Sequence, residues 1–282
     1  MPAAVSASAD LYARPGTLTE ALALLAQGGY RPLAGGTDIY PGAGARLVGP
    51  ILDLTRLPEL REIKAGRGLR IGATTSWALI AEASLPPACL ALQQAARMVG
   101  GRQIQNAGTI GGNLCNASPA ADGIPPLLAL DATVELVSQR GTRALALSEF
   151  IVGPRRTALA PDEILTAVLI HEAALSGRSA FVKLGARTHL VISIAMVAAR
   201  VKAQEGRISE TAIAAGACSA VAQRLPAVEA AIVGARADEV ATRILPEHLD
   251  ALTPIDDIRA TAAYRRIAAR ELIIRAVTEA MA

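Results

Sequence analysis

The chain of 282 residues is 52% hydrophobic and 19% charged, with a net charge of +3. That length holds two domains and a sizeable core, and that composition excludes a disordered chain. A charge so small, with no basic run and 2% aromatic residues, excludes the electrostatic footprint of a nucleic-acid binder.

The N-terminal stretch has no basic segment followed by an apolar run, so no secretory signal is expected. TLTEALALLAQGG (17–29) predicts a helix, opened by a Thr17–Glu20 capping box and stopped by Gly28 or Gly29. RPLAGGT (31–37) predicts a short strand running into a glycine turn. LVGPILDL (47–54) and LRIGATT (69–75) are strand-like, while SWALIAEA (76–83) and PPACLALQQAARMVGG (86–101) predict helices. A short helix is expected around PPLLALD (125–131). ATVELVSQ, the turn Arg140–Gly141 and TRALAL then form a hairpin.

EILTAVLI (163–170) predicts a strand, and the polar HEAALSGRS (171–179) a break between domains. SAFVKLGAR, VISIAMVAARVKAQ and GRISETAIAAGACS follow as three strands. LPAVEAAIVG, ADEVATRIL and a long segment from Asp256 to Ala282 are helical. Strands followed by helices, in two blocks, give an α+β fold. No internal repeat is visible.

Cys89, Cys115 and Cys218 are the only cysteines, and none lies in a CxxC pair, so no zinc or iron–sulfur site is expected within this chain. The most apolar stretch, residues 191–201, is too short to span a bilayer. A soluble cytoplasmic protein with no membrane insertion is expected.

Two glycine segments stand apart: LAGGTD (33–38) and GTIGGN (108–113), the second leading into LCNASPAAD (114–122). Glycine lets a backbone approach a ligand closely and take φ > 0. Successive N–H groups then form an anion-binding nest, with Thr37 and Thr109 adding hydroxyls. Neither segment is a Walker A loop or a GxGxxG fingerprint. Two such turns facing each other suit a pyrophosphate held from both sides.

LAGGTD and NAGTIGGNLCNASPAAD resemble the two FAD loops of the medium subunit of the molybdenum hydroxylases, the xanthine dehydrogenase and carbon monoxide dehydrogenase family. RIGATT, LLALDA and PIDDIRATAAYRR fit as well, so the resemblance runs along nearly the whole chain. It implies a split FAD-binding domain of the vanillyl-alcohol oxidase (PCMH) type over residues 1–175, with subdomains of about 1–58 and 59–175. A smaller α+β domain over 176–282 follows.

By the same resemblance, Leu33, Ala34, Gly35, Gly36, Thr37 and Asp38 wrap one side of the cofactor. Thr109, Ile110, Gly111, Gly112 and Asn113 lie on the other. Asp122, Leu165 and Lys183 match positions near the flavin. Read from the residues alone, Asp122 is equally a helix cap, Leu165 a core leucine and Lys183 a solvated strand residue. Val99 falls where some relatives stack an aromatic on the adenine, and Cys115 reads as a small buried residue.

The resemblance further implies non-covalent FAD and an electron-transfer role. A large molybdopterin subunit would hydroxylate a purine, another N-heteroaromatic, an aldehyde or carbon monoxide, with a lean to the xanthine dehydrogenase type. A small subunit with 2Fe–2S clusters would pass the electrons on, and FAD would deliver them to NAD⁺, oxygen or another acceptor. A dimer of heterotrimers is expected. A free-standing FAD-dependent oxidoreductase and a scaffold that has lost its flavin are the other readings of the same residues.

Overall fold

The computed structural model describes residues 11–44 and 47–282. The stretch read for a secretory signal begins in residues 1–10, outside the described residues.

The first lobe is a small parallel sheet in the order Tyr12–Ala13, Ile51–Asp53, Arg31–Leu33. Helix Leu18–Ala26 covers it and buries Ala21, Leu22 and Leu25 against Leu52, Leu54, Leu57 and Leu60. Thr17 Oγ1 accepts from the Glu20 N–H at 3.2 Å, as a cap should. The Glu20 carboxylate reaches past Thr17 to the Gly16 N–H at 2.8 Å, so the reciprocal half of the capping box is shifted by one residue.

The second lobe is built on an antiparallel sheet, in the order Ile63–Gly66, Gly68–Gly72, Ile164–His171, Thr133–Ser138, Gly141–Ala146. One face, through Leu69, Ile71, Val134, Leu136 and Val168, packs on the helices Trp77–Glu82, Ile110–Asn116 and Ile124–Ala129. The other face meets the first lobe through Ile164 and Val137.

The last unit is a four-stranded antiparallel sheet, Arg178–Leu184, Ala195–Gln204, Arg207–Gly216 and Gln223–Arg224. Successive side chains of a strand point to opposite faces. Val197, Ala199 and Val201 therefore join one core with Ala269, Ile273 and Val277 of helix Ala262–Met281. Met196 and Ala198 join another with Ala91, Ala95 and Ala129 of the second lobe. The sheet is thus covered on both sides, and its short alanines let the layers close.

The α+β class stands, and most elements fall where the pattern put them. The segment from Asp256 is not helical until Ala262. Asp257 accepts from the Arg259 N–H (2.8 Å) and from Arg265 (2.6 Å), which holds a turn, and Thr261 then caps the helix. Helices Ile39–Gly42 and Arg102–Ala107 and the strand Gln223–Arg224 carry no strong pattern and were not anticipated.

Candidate functional site

A cavity of about 530 Å³ opens where the two lobes meet. From the first lobe it is lined by Ala34, Gly35, Gly36, Thr37 and Asp38. From the second it is lined by Thr109, Gly111, Gly112, Asn113 and Leu165. Ten of the residues singled out in the sequence therefore surround one space.

The first segment turns sharply at Gly36, whose φ of +69° puts it in the left-handed region. A Cβ there would overlap the Tyr40 ring. A Cβ on Gly35 would overlap the Ala107 carbonyl oxygen, so this glycine is where the first segment touches the approach to the second. Among the described residues, the N–H groups of Gly35, Gly36 and Thr37 meet no protein acceptor. They are the free donors that a nest requires.

The second segment differs from the expected loop. Residues Ile110–Asn116 form a helix, with Thr109 as N-cap accepting from the Gly112 N–H at 3.1 Å. Its other N–H groups are also engaged. Ile110 donates to Thr75 O (3.0 Å), Gly111 to Ala73 O (2.9 Å) and Asn113 to Thr109 O (3.0 Å). The anion nest expected here is absent because the fold has used its donors. The two glycines have different duties. A Cβ on Gly111 would lie 2.7 Å from Ala73 Cβ, so this position is small for packing. Gly112 is exposed, and its Cβ would press only on Thr109 Oγ1 at 2.9 Å.

Leu165 reaches the cavity through an irregularity in its strand. Leu165 pairs with Leu136 and Ala167 with Glu135, leaving Thr166 as an extra residue in a β-bulge. The bulge inverts the alternation, so that Leu165 shares a face with Val168 while Ile164 turns to the first lobe. Thr166 Oγ1 donates to Glu135 Oε1 at 2.6 Å, and Arg70 donates to the same oxygen at 2.8 Å. The Thr166 carbonyl accepts from Ala73 N–H at 2.9 Å, which ties the bulge to the seat of Gly111.

Four candidate side chains do not line the cavity. Leu33 (3% exposed) lies beneath the first turn, and Ile110 (0%) belongs to the second lobe's core. Asp122 and Lys183 face each other. Lys183 Nζ donates to Asp122 Oδ2 at 2.6 Å, and Ser193 Oγ donates to Asp122 Oδ1 at 2.6 Å. Burial pushes the Asp122 carboxyl up, while Lys183 and Ser193 pull it down. The cap reading of Asp122 fails: Gly123 is the N-cap of helix Ile124–Ala129 and receives no side-chain cap. Lys183 is not solvated, at 5% side-chain exposure, because Asp122 and Ser193 enclose its end.

Of the other lining residues, Thr74, Trp77, Asn116 and Arg155 were missed in the sequence, whereas Asn113 was singled out there. Thr74 and Asn113 each hold a buried polar atom, Oγ1 and Oδ1, with no hydrogen-bond partner among the described residues. Trp77, almost fully buried, backs the wall beside Gly108 and Gly123. Asn116 donates to Asp38 Oδ1 at 2.9 Å and accepts from Arg155, linking the lobes across the cavity. Val99 lines the wall near Ile104. Cys115 is open to the cavity, not buried as its type suggested. The Trp77 and Thr74 signals lay in the sequence as a lone tryptophan and a threonine just beyond a strand, but neither carries a pattern.

Among the described residues, no three His, Cys, Asp or Glu side chains are grouped to hold a metal. Among the same residues, no helix is long and apolar enough to cross a membrane.

The chain is similar to known proteins along its length. Residues 5–171 match a family described as the FAD binding domain in molybdopterin dehydrogenase. Residues 180–280 match the CO dehydrogenase flavoprotein C-terminal domain. The nicotinate dehydrogenase FAD-subunit of Eubacterium barkeri is 39% identical over 214 residues, 72% of each chain. The glyceraldehyde dehydrogenase medium chain of Sulfolobus acidocaldarius is 32% identical over 274 residues, 95% of this chain and 97% of that one. The structure of CO dehydrogenase from Oligotropha carboxidovorans gives a TM-score of 0.87 at 28% identity, over 96% of each chain.

Proposed function

The chain belongs to the FAD-binding medium subunits of the molybdenum hydroxylases, and from that membership we propose that it relays electrons within a cytoplasmic heterotrimer. Its cofactor is FAD and its class is oxidoreductase. The partners we infer are a large molybdopterin subunit, which hydroxylates a purine, N-heteroaromatic or aldehyde, and a small 2Fe–2S subunit. The acceptor is NAD⁺ or oxygen, and the assembly a dimer of heterotrimers. We divide the chain into an FAD-binding part, 1–175, and a C-terminal part, 176–282.

One observation carries the reading: both glycine segments line a single cavity, whose lining also includes Thr74 and Asn113, residues that each carry an unpartnered polar atom among the described residues. The residues fit a flavin dinucleotide. The free N–H groups of Gly35, Gly36 and Thr37 would take the phosphates, and the glycine surface at Gly112 leaves room for the chain of the cofactor. When bound, FAD accepts and releases electrons; the protein's part is to hold, orient and shield it. The Asp38–Asn116–Arg155 links join the lobes at the cavity and would help hold the cofactor between them. Leu159, Ile164 and Leu165 supply apolar wall to the cavity.

The test is to express the chain with candidate large and small partners. A complex carrying one releasable flavin per chain is expected. The medium chain alone should take up FAD and leave organic substrates unoxidised. Turnover of such a substrate by the isolated chain would favour a free-standing oxidoreductase, and a chain that binds no flavin would end the cofactor assignment.

A further inference from the structure

Thr74 is a buried polar group that the fold does not use. It is 9% exposed, lines the cavity, and its Oγ1 has no partner among the described residues. Its neighbours are spent otherwise. Thr75 Oγ1 donates to Arg61 O at 3.0 Å, and Ser76 Oγ accepts from the Leu79 N–H at 3.3 Å. Of three successive hydroxyls, two serve the fold, and the third belongs to a residue that lines the cavity and is left without a partner among the described residues. Burying a hydroxyl without a partner is unfavourable. Valine has nearly the same shape without that cost, so the fold alone gives no reason for a threonine here.

The surroundings say what the hydroxyl meets. Thr74 follows Ala73, whose carbonyl holds the Gly111 N–H. On this wall the backbone donors at 110–113 are already engaged. Asn113, with its Oδ1 unpartnered among the described residues, offers both an accepting oxygen and a donating amide nitrogen. A ligand rich in oxygen acceptors therefore finds free backbone donors on the first lobe, and on this part of the second lobe it finds side-chain donors, the Asn113 amide and the Thr74 hydroxyl. We infer that Thr74 donates a hydrogen bond to an oxygen of bound FAD and fixes the cofactor against the second lobe. The inference rests on the cofactor reading above.

The experiment uses the full chain, stripped of flavin and titrated with FAD by fluorescence, beside thermal melting of the apo-protein. For Thr74→Val the dissociation constant is expected to rise about five- to hundredfold, the loss that follows from unpairing a buried group. The apo-protein should melt at the wild-type temperature or above it, because an unpaired hydroxyl has been removed. Thr74→Ser should restore most of the affinity. Wild-type FAD binding with a Thr74→Val affinity within about twofold of it overturns the inference alone. So does a Thr74→Val apo-protein that melts several degrees lower while Thr74→Ser melts as wild type, since the hydroxyl would then serve the fold. A wild-type chain that binds no FAD overturns the cofactor reading and this inference together.

Discussion

Two buried charges at the residue scale show how context decides a side chain's duty. Asp122 and Lys183 have side chains 8% and 5% exposed and sit 2.6 Å apart. Removing one partner of such a pair leaves an uncompensated charge, which costs about 3–5 kcal/mol. Lys183→Met should therefore lower the denaturation midpoint sharply, and the double variant with Asp122→Asn should recover part of the loss. Because both Asp122 oxygens are already engaged, Asp122→Asn should move stability more than FAD affinity. Glu163, 5% exposed and forked by Arg143 at 2.7 and 2.8 Å, is the second case. The guanidinium holds its carboxyl below the usual value of 4.5. A depressed carboxylate contributes stability above its unfolded pKa and loses it as pH falls through the folded one. Unfolding measured against pH should show this contribution fading below about 4.5 in wild type. In Glu163→Gln it should be missing already at neutral pH.

At the scale of elements, the helix Ile110–Asn116 and the bulge at Thr166 shape the cavity wall. The sequence marked Gly111 and Gly112 alike, yet the structure separates them. Gly111→Val drives a branched side chain into Ala73 and should yield little folded chain. Gly112→Val should fold, with its circular dichroism kept, and bind little FAD; full flavin occupancy in that variant would refute the placement of this segment on the cofactor. The bulge is legible only through pairing, because EILTAVLI reads as an unbroken apolar strand. Thr166→Val removes the donor to Glu135 Oε1 and should loosen the seat of Leu165 and Ala73. A several-fold weaker FAD affinity and a shifted flavin absorption spectrum are expected, with Thr166→Ser restoring both.

Across the whole molecule, the C-terminal sheet is joined to the second lobe by a core of short side chains and by arginines. Arg200, 4% exposed at its side chain, donates to the Ala129 carbonyl at 3.0 Å and pairs with Glu210 at 3.0 Å. It thereby satisfies an end of helix Ile124–Ala129 that would otherwise be buried unpaired. Met196, fully buried in the same seam, is its largest aliphatic filler beside Ala91, Ala95 and Ala198. Met196→Ala should cost about 2–5 kcal/mol, read by chemical denaturation. FAD affinity should stay near wild type, since the seam lies apart from the cavity lining. An equal loss of affinity would show that the seam sets the geometry of the site.

The sequence alone determined whatever depends on near neighbours. Thr17 and Thr261 start their helices through bonds spanning three residues. The strands of the C-terminal sheet announce themselves in apolar runs, and both glycine segments stand out by composition. Those segments carried the resemblance to the family and supplied nine of the ten expected residues that line the cavity. Tertiary structure decided what depends on distant partners. Asp122 meets a lysine 61 positions away, a separation that no local pattern encodes. Thr74 is left without a partner while its neighbours Thr75 and Ser76 bond to Arg61 and Leu79, a difference that the run of three hydroxyl residues does not reveal. The second segment loses its free donors because Ala73 and Thr75, brought alongside by the sheet, accept them. A backbone donor goes to the nearest acceptor, and which acceptor is nearest is a property of the fold.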